Sequence, residues 1–279
     1  MTSPNPIASS LRIVSKLGGQ QRVSRALHPL PARWTEFDAT VQYRSIFFEV
    51  NTGEETGRRM YYFNEYERAQ ENVLLELVNP QSLVFDIGAN IGLFCFLSVS
   101  QGAHVVAFEP SRLLAARFTR NLALTNMSNV VLVPEAVSDC EGAISFYETR
   151  AGNFGVGRVF AFGHSRNTTP SHSVPTNTVY SYVARFGMPA LIQIDIEGAE
   201  WLALKGASET FKQPNSPVLL IECHPEEIHS LRGSLASRLV LLESYGLRRY
   251  RLEEAEIGTH KWYVFSRKQC KSSRLILDC

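Results

Sequence analysis

Acids stand at the ends of successive apolar runs in this chain, spaced as the ligand edge of a nucleotide-binding sheet requires. In Leu83 to Phe94, LVFDIGANIGLF, a branched and aromatic run ends at Asp86; Gly88, Asn90 and Gly92 follow, then a second apolar stretch. That order reads as a buried parallel strand, a tight turn and a helix, the first half of a βαβ unit. The glycines are expected to let the backbone pass close to a ligand where a Cβ would collide. Bare amides at a helix N-terminus hold an anion, and a carboxylate at the mouth of the turn repels one. Asp86 therefore argues against a dinucleotide and for a ligand with positive charge, such as the ammonium and sulfonium of S-adenosylmethionine. The next run, AHVVAF, closes at Glu109, about 20 residues beyond the glycines, where a carboxylate can accept from both ribose hydroxyls.

Two later runs end in the same way. LIQIDIEGAEW places Asp195 at a strand end, with Glu197 and Glu200 just beyond, and PVLLIECHP places Glu222 and His224 on either side of Cys223. Ligands of a doubly wound sheet bind beyond these carboxyl ends, and so much charge in one cleft is costly unless a substrate, a cation or mutual hydrogen bonding answers it. Plainer readings stand beside the functional one. Asp195 could cap the following helix, Glu197 and Glu200 could simply complement its dipole, and His224 before Pro225 could simply end the strand. A divalent ion on Asp195 and Glu222 is the weaker option, because no HxH or HExxH spacing accompanies them.

Strands must alternate with helices to position these ends, and they do so in the pattern of a parallel sheet. VQYRSIFFEV reads as a strand that RRMYYF pairs with across NTGEETG, and Glu65 to Val78 reads as a helix stopped by Asn79-Pro80. NVVLVP is the expected third core strand, AISFY an added edge strand, and YRL with HKWYVF a terminal antiparallel pair. The expected division is a tail or short helices over 1–34, a strand and helix cap over 35–70, a catalytic domain over 71–268, and a C-terminal tail over 269–279. Residues 149–177, rich in Gly, Asn, Ser, Thr and Pro, read as a substrate loop, with Asn153, Phe154 and Arg158 in its most ligand-like part.

The 279 residues suit one substantial α/β domain with an N-terminal extension. With 28 Lys plus Arg against 27 Asp plus Glu, charge offers nothing to a nucleic acid or an anionic membrane. Five scattered cysteines without a CxxC pair read as the reduced thiols of a cytoplasmic protein. The first 30 residues lack the apolar core of a signal peptide, and Asp86 and Asn90 interrupt the longest apolar stretch, so no transmembrane segment is expected.

Taken together, VFDIGANIG, VVAFEPS, VPEAVSD, LIQIDIEGAEWLALKGA and LLIECHP resemble the FkbM family of S-adenosylmethionine-dependent methyltransferases, from about Tyr66-Glu67 to Tyr263-Val264. The resemblance implies a class I methyltransferase fold: a doubly wound, mostly parallel seven-stranded sheet whose last strand is antiparallel. It implies O-methylation of a small-molecule or glycan substrate, typically a sugar hydroxyl or a natural-product scaffold. An N-methyltransferase and a non-catalytic cofactor-binding protein are the alternatives, and a homodimer is left open. By the same resemblance Asp86, Gly88, Asn90 and Gly92 surround the methionyl part of the cofactor, Glu109 holds the ribose, Glu135-Ala136 lies beside the adenine, and Glu67 is a further cofactor-binding residue. Asp195 and Glu197 face the methyl group and the substrate. The expected base is Asp195 or His224, with Glu222 orienting the imidazole. One departure stands out: the family commonly has Lys where this chain has Gln193.

Overall fold

The computed structural model describes residues 36–147, 172–196, 198–223, 235–252 and 261–278. A hairpin of β1 (Asp38–Tyr43) and β2 (Ile46–Asn51) leads through α1 (Glu55–Arg58), a π-helical turn (Arg59–Phe63) and α2 (Arg68–Leu77) to the first core strand. There follow β3 (Leu83–Ile87), α3 (Leu93–Ser100), β4 (His104–Phe108), α4 (Arg112–Ala123), β5 (Val130–Val133), β6 (Ala136–Val137) and β7 (Gly142–Phe146). After residues 148–171 come β8 (His172–Asn177), α5 (Val179–Phe186), β9 (Leu191–Ile194), α6 (Glu200–Gly206), α7 (Ser208–Lys212) and β10 (Val218–Cys223). The chain closes with α8 (Leu235–Ser244), β11 (Arg248–Leu252), β12 (Lys261–Ser266) and β13 (Leu275–Leu277).

Eight strands form the main sheet in the order β13-β11-β12-β10-β9-β3-β4-β5. Strands β5, β4, β3, β9 and β10 are mutually parallel, and β12 runs antiparallel to both β10 and β11. This is the expected α/β sheet with one strand more, since β13, from the segment read as a tail, pairs with β11. The parallel strands are apolar on both faces because both are covered. Val84, Leu191 and Leu220 face one buried layer with α2, α3, α4 and the hairpin; Phe85, Ile192 and Leu219 face another with α5 to α8.

Three local expectations are corrected. VQYRSIFFEV is not one strand but the hairpin itself, turned at Arg44 and Ser45, both at positive φ (46° and 69°). Right-handed twist favours such a turn, but neither residue is the Asn or Gly that normally announces it. RRMYYF, read as the partner strand, is helical, and Met60, Tyr61 and Tyr62 bury their side chains from that turn. Finally, 172–177 is strand β8, antiparallel to β7 and parallel to β6 in a small separate sheet; the rest of the expected loop, with Asn153, Phe154 and Arg158, lies outside the described residues.

The N-terminal unit is clamped to the sheet's helices. Arg117 on α4 donates to both oxygens of the buried Glu54 carboxylate, at 2.5 and 2.6 Å. Asn121, fully buried on α4, accepts from the Glu49 N–H (2.6 Å) and donates to the Ile91 carbonyl (3.0 Å). One amide thus ties β2 to the glycine turn. Among the described residues, no helix is long and apolar enough to cross a membrane.

Candidate active site

The glycine turn leaves β3 at its carboxyl end, and its shape is fixed by protein neighbours. The Gly88 and Ala89 N–H groups both donate to the Phe108 carbonyl at 3.0 Å, and the Asp195 N–H donates to the Ile87 carbonyl at 3.0 Å. Gly88 sits at φ +89°, where a Cβ would stand 1.8 Å from the Asp195 carbonyl oxygen; at Gly92, φ +101°, a Cβ would stand 2.6 Å from the Phe96 ring. The missing Cβ atoms therefore make room for Asp195 and Phe96, a packing reason for glycine at these two positions. Asn90 takes the left-handed conformation (φ 51°), which Asn tolerates, and its N–H turns back to Glu109 Oε2 at 2.8 Å. Glu109 Oε1 accepts from the Ser111 N–H at 2.9 Å. Two amides thus pre-orient the carboxylate at the carboxyl end of β4.

Asp86, at the end of β3, is buried, and neither carboxyl oxygen has a hydrogen-bond partner. Its pKa is raised to about 7, chiefly by burial and further by Glu109, against an interaction with the Cys95 amide, short of full hydrogen-bond alignment, that pulls it down. Across the sheet, Asp86 is in register with Gln193 on β9, which is in turn in register with Leu220 on β10. Gln193 is also wholly buried, with its amide oxygen and nitrogen unpartnered.

Asp195 follows β9, and Glu222 lies near the end of β10, opposite Trp262 on β12. Above them stands the start of α2. With the Gln70 amide turned to satisfy both its contacts, its oxygen accepts from Trp262 Nε1 (3.1 Å) and its nitrogen donates to the Glu67 carbonyl (2.9 Å). Glu67 is in the left-handed region (φ 38°), a conformation costing on the order of 1 kcal/mol or more that clusters at functional sites. Its Oε2 is buried without a partner. Burial, and next the charge of Asp195, raise the Glu67 carboxyl far above its usual range, while a hydrogen bond to Tyr66 acts against them. The Tyr66 phenol is raised by burial, by Glu67, by Asp195 and by Glu222, with a hydrogen bond to Thr56 acting the other way. Asp195, Glu222 and Glu67 are thus one acidic group around Tyr66. The sequence motifs gave no signal for Tyr66 or Thr56, which belong to the N-terminal unit.

The remaining site residues divide. Glu135 Oε2 accepts the Tyr182 hydroxyl at 2.6 Å, which fixes the Glu135–Ala136 segment against α5, with Ala136 buried in β6. Glu200, buried at the start of α6, accepts from the Gly198 N–H at 2.9 Å, which favours the structural reading of that acid. Glu197 and His224 lie outside the described residues. Among the described residues, no three His, Cys, Asp or Glu side chains are grouped to hold a metal ion.

What the arrangement offers is a row of acids along the carboxyl edge of β3, β4, β9 and β10, with an amide-held carboxylate at the ribose position. The donor set suits a cationic nucleoside: buried Asp86 has no counter-charge, and Glu109 is pre-oriented. The chain is similar to several known proteins. A curated "Methyltransferase 1" of Beauveria bassiana (strain ARSEF 2860) is 26% identical over 184 residues, covering 59% of this chain and 72% of that protein. Among solved structures, an rRNA methylase of Streptococcus thermophilus covers 74% of this chain and 98% of its own, at 10% identity and a TM-score of 0.46. A SAM-dependent methyltransferase of Agrobacterium tumefaciens covers 83% and 70%, at 11% identity and the same TM-score of 0.46. The model of the Methyltransferase FkbM domain matches residues 86–248, from Asp86 to the start of β11. That match takes in more than half of the chain, which therefore belongs to the FkbM family of S-adenosylmethionine-dependent methyltransferases.

Proposed function

We propose that this methyltransferase transfers the methyl group of S-adenosylmethionine to a hydroxyl oxygen of a sugar, a glycolipid or a natural-product scaffold. The observation that carries this reading is the group of Asp195, Glu222 and Glu67 around Tyr66 at the carboxyl ends of β9 and β10. A hydroxyl held beside such acids brings no charge for them to repel, and it needs a carboxylate to take its proton.

Bound S-adenosylmethionine supplies an electrophilic methyl carbon on a sulfonium. The chain's part is to hold, align and deprotonate. Asp86 would answer the positive charge of the donor's methionyl end, Glu109 would hold the ribose diol, and the Glu135–Ala136 segment would border the adenine. Holding an acceptor oxygen aligned with the bound donor would supply on the order of 7–11 kcal/mol. Asp195, or His224 oriented by Glu222, takes the acceptor's proton as the new O–C bond forms.

The test is transfer of labelled methyl groups to a panel of hydroxylated glycosides and natural products. Asp195→Asn and His224→Ala are expected to lower turnover by roughly 10²–10⁴-fold, the range of general-base catalysis, while the donor still binds in calorimetry. If both variants keep full turnover, neither residue is the base. Transfer to amines in preference to alcohols would replace the hydroxyl reading with the N-methyl one.

A further inference from the structure

A carboxyl taken out of water stays ionised only where a cation or several hydrogen-bond donors answer it. Asp86 is 1% exposed, and neither oxygen makes an aligned hydrogen bond, the Cys95 amide alone among the described backbone groups favouring its charged form. Its neighbours in register are Ala107 on β4, which brings no polar group, and Gln193 on β9, 0% exposed and unpartnered at both amide atoms. Of the titratable groups set against it, Glu109 at the end of β4 carries the same charge, and Cys95 on α3 is itself held as the neutral thiol by burial and by Asp86. Among the described residues no cation acts on Asp86, and its pKa is raised to about 7, chiefly by burial.

We propose that Asp86 is a neutral acid in the free protein and gives up its proton when the cationic methyl donor binds, and that the Gln193 amide then serves the new carboxylate as its hydrogen-bond donor. This rests on the reading of the glycine turn as the methyl-donor site. In the step the Asp86 O–H bond breaks, the proton goes to solvent, and the carboxylate is balanced by the donor's positive charge. Gln193 Nε2, in register on the adjoining strand and without another partner, supplies an N–H in place of the lost O–H. Gln193 is on this account a positioning residue, and donor binding is coupled to proton release.

The coupling has a measurable size. Release of one proton per donor bound makes the Kd fall by up to about tenfold per pH unit while Asp86 begins protonated, and levels off once it begins ionised. Calorimetric titration with S-adenosylmethionine, in buffers of different ionisation enthalpy on either side of pH 7, counts the protons released. Wild type is expected to release about one proton on the acid side and fewer on the alkaline side. Asp86→Asn should release none, and its Kd should be flat across the range. Gln193→Met, which removes the amide donor, should carry the release to higher pH; Gln193→Lys, which places a cation beside Asp86, should abolish it. Because the Gln193 variants test the coupling separately, it remains open to refutation even if Asp86→Asn fails to fold. Donor binding without proton exchange on the acid side overturns the proposal and leaves the donor site intact. Failure of S-adenosylmethionine to bind at all overturns both.

Discussion

Replacing Gly88 by alanine should damage this protein out of proportion to one methyl group, by an amount the structure allows to be worked out. The new Cβ would stand 1.8 Å from the Asp195 carbonyl oxygen, 2.8 Å from its carbon and 2.9 Å from Ile196 Cγ2, whereas real Cβ contacts stay beyond 3.0 Å. The turn and the end of β9 must therefore separate by more than 1 Å, and both are backbone held by the Asp195 N–H to Ile87 carbonyl bond. The left-handed conformation costs an L-residue on the order of 1 kcal/mol, and overpacking a tight contact adds about 1–3 kcal/mol. The sum is about 2–4 kcal/mol, which in a domain of this size lowers Tm by roughly 4–16 °C. Gly102 supplies the control: its φ of +88° is nearly the same, but a Cβ there meets only Pro80, at 3.5 Å. Gly102→Ala should bear the backbone cost alone, about 1 kcal/mol. Calorimetric unfolding of the two variants separates strain from collision, and donor titration of Gly88→Ala should show weaker binding, because the turn and Asp195 move apart. If the two variants unfold at the same temperature and bind S-adenosylmethionine alike, the contact between the turn and Asp195 is not what fixes this glycine.

Two further outcomes follow from buried polar groups. Asn121→Ala removes the side chain that joins the Glu49 N–H to the Ile91 carbonyl, orphaning a group on each side; urea unfolding should show a loss of about 2–4 kcal/mol with an unchanged denaturant slope. Asp86 sets a pH dependence of stability whose sign follows from its raised pKa. Between about 4, its unfolded value, and about 7, the folded state binds the extra proton, so this group's contribution to stability is whole below about 4 and lost as pH rises through 7. Asp86→Asn should flatten that part of the profile, and an unaltered profile would mean that Asp86 is ionised when folded.

The proposed site residues were legible in the sequence where they close a buried parallel strand, because burial on both faces writes such a strand as an unbroken apolar run. Asp86, Glu109, Asp195 and Glu222 each interrupt or follow a run of this kind, and the strands they close lie side by side in the sheet. Signals failed where the deciding partner is distant in the chain. Nothing around Gly88 announces that Asp195 fills the space beside it, and nothing around Glu200 announces whether it faces a ligand or caps the Gly198 N–H. RRMYYF carries aromatic residues typical of strands, yet it is helical because the space against Phe37 and the hairpin takes its rings from that side. Tyr66 and Glu67 show the same limit at the site itself. The family resemblance reached Glu67 as a cofactor residue, but only the fold brings it beside Tyr66 and Asp195, and there burial and a like charge raise its carboxyl well above the usual range. Sequence thus yields the acids that belong to a strand's own pattern; the acids that matter through their neighbours become visible only when the N-terminal unit is folded against the sheet.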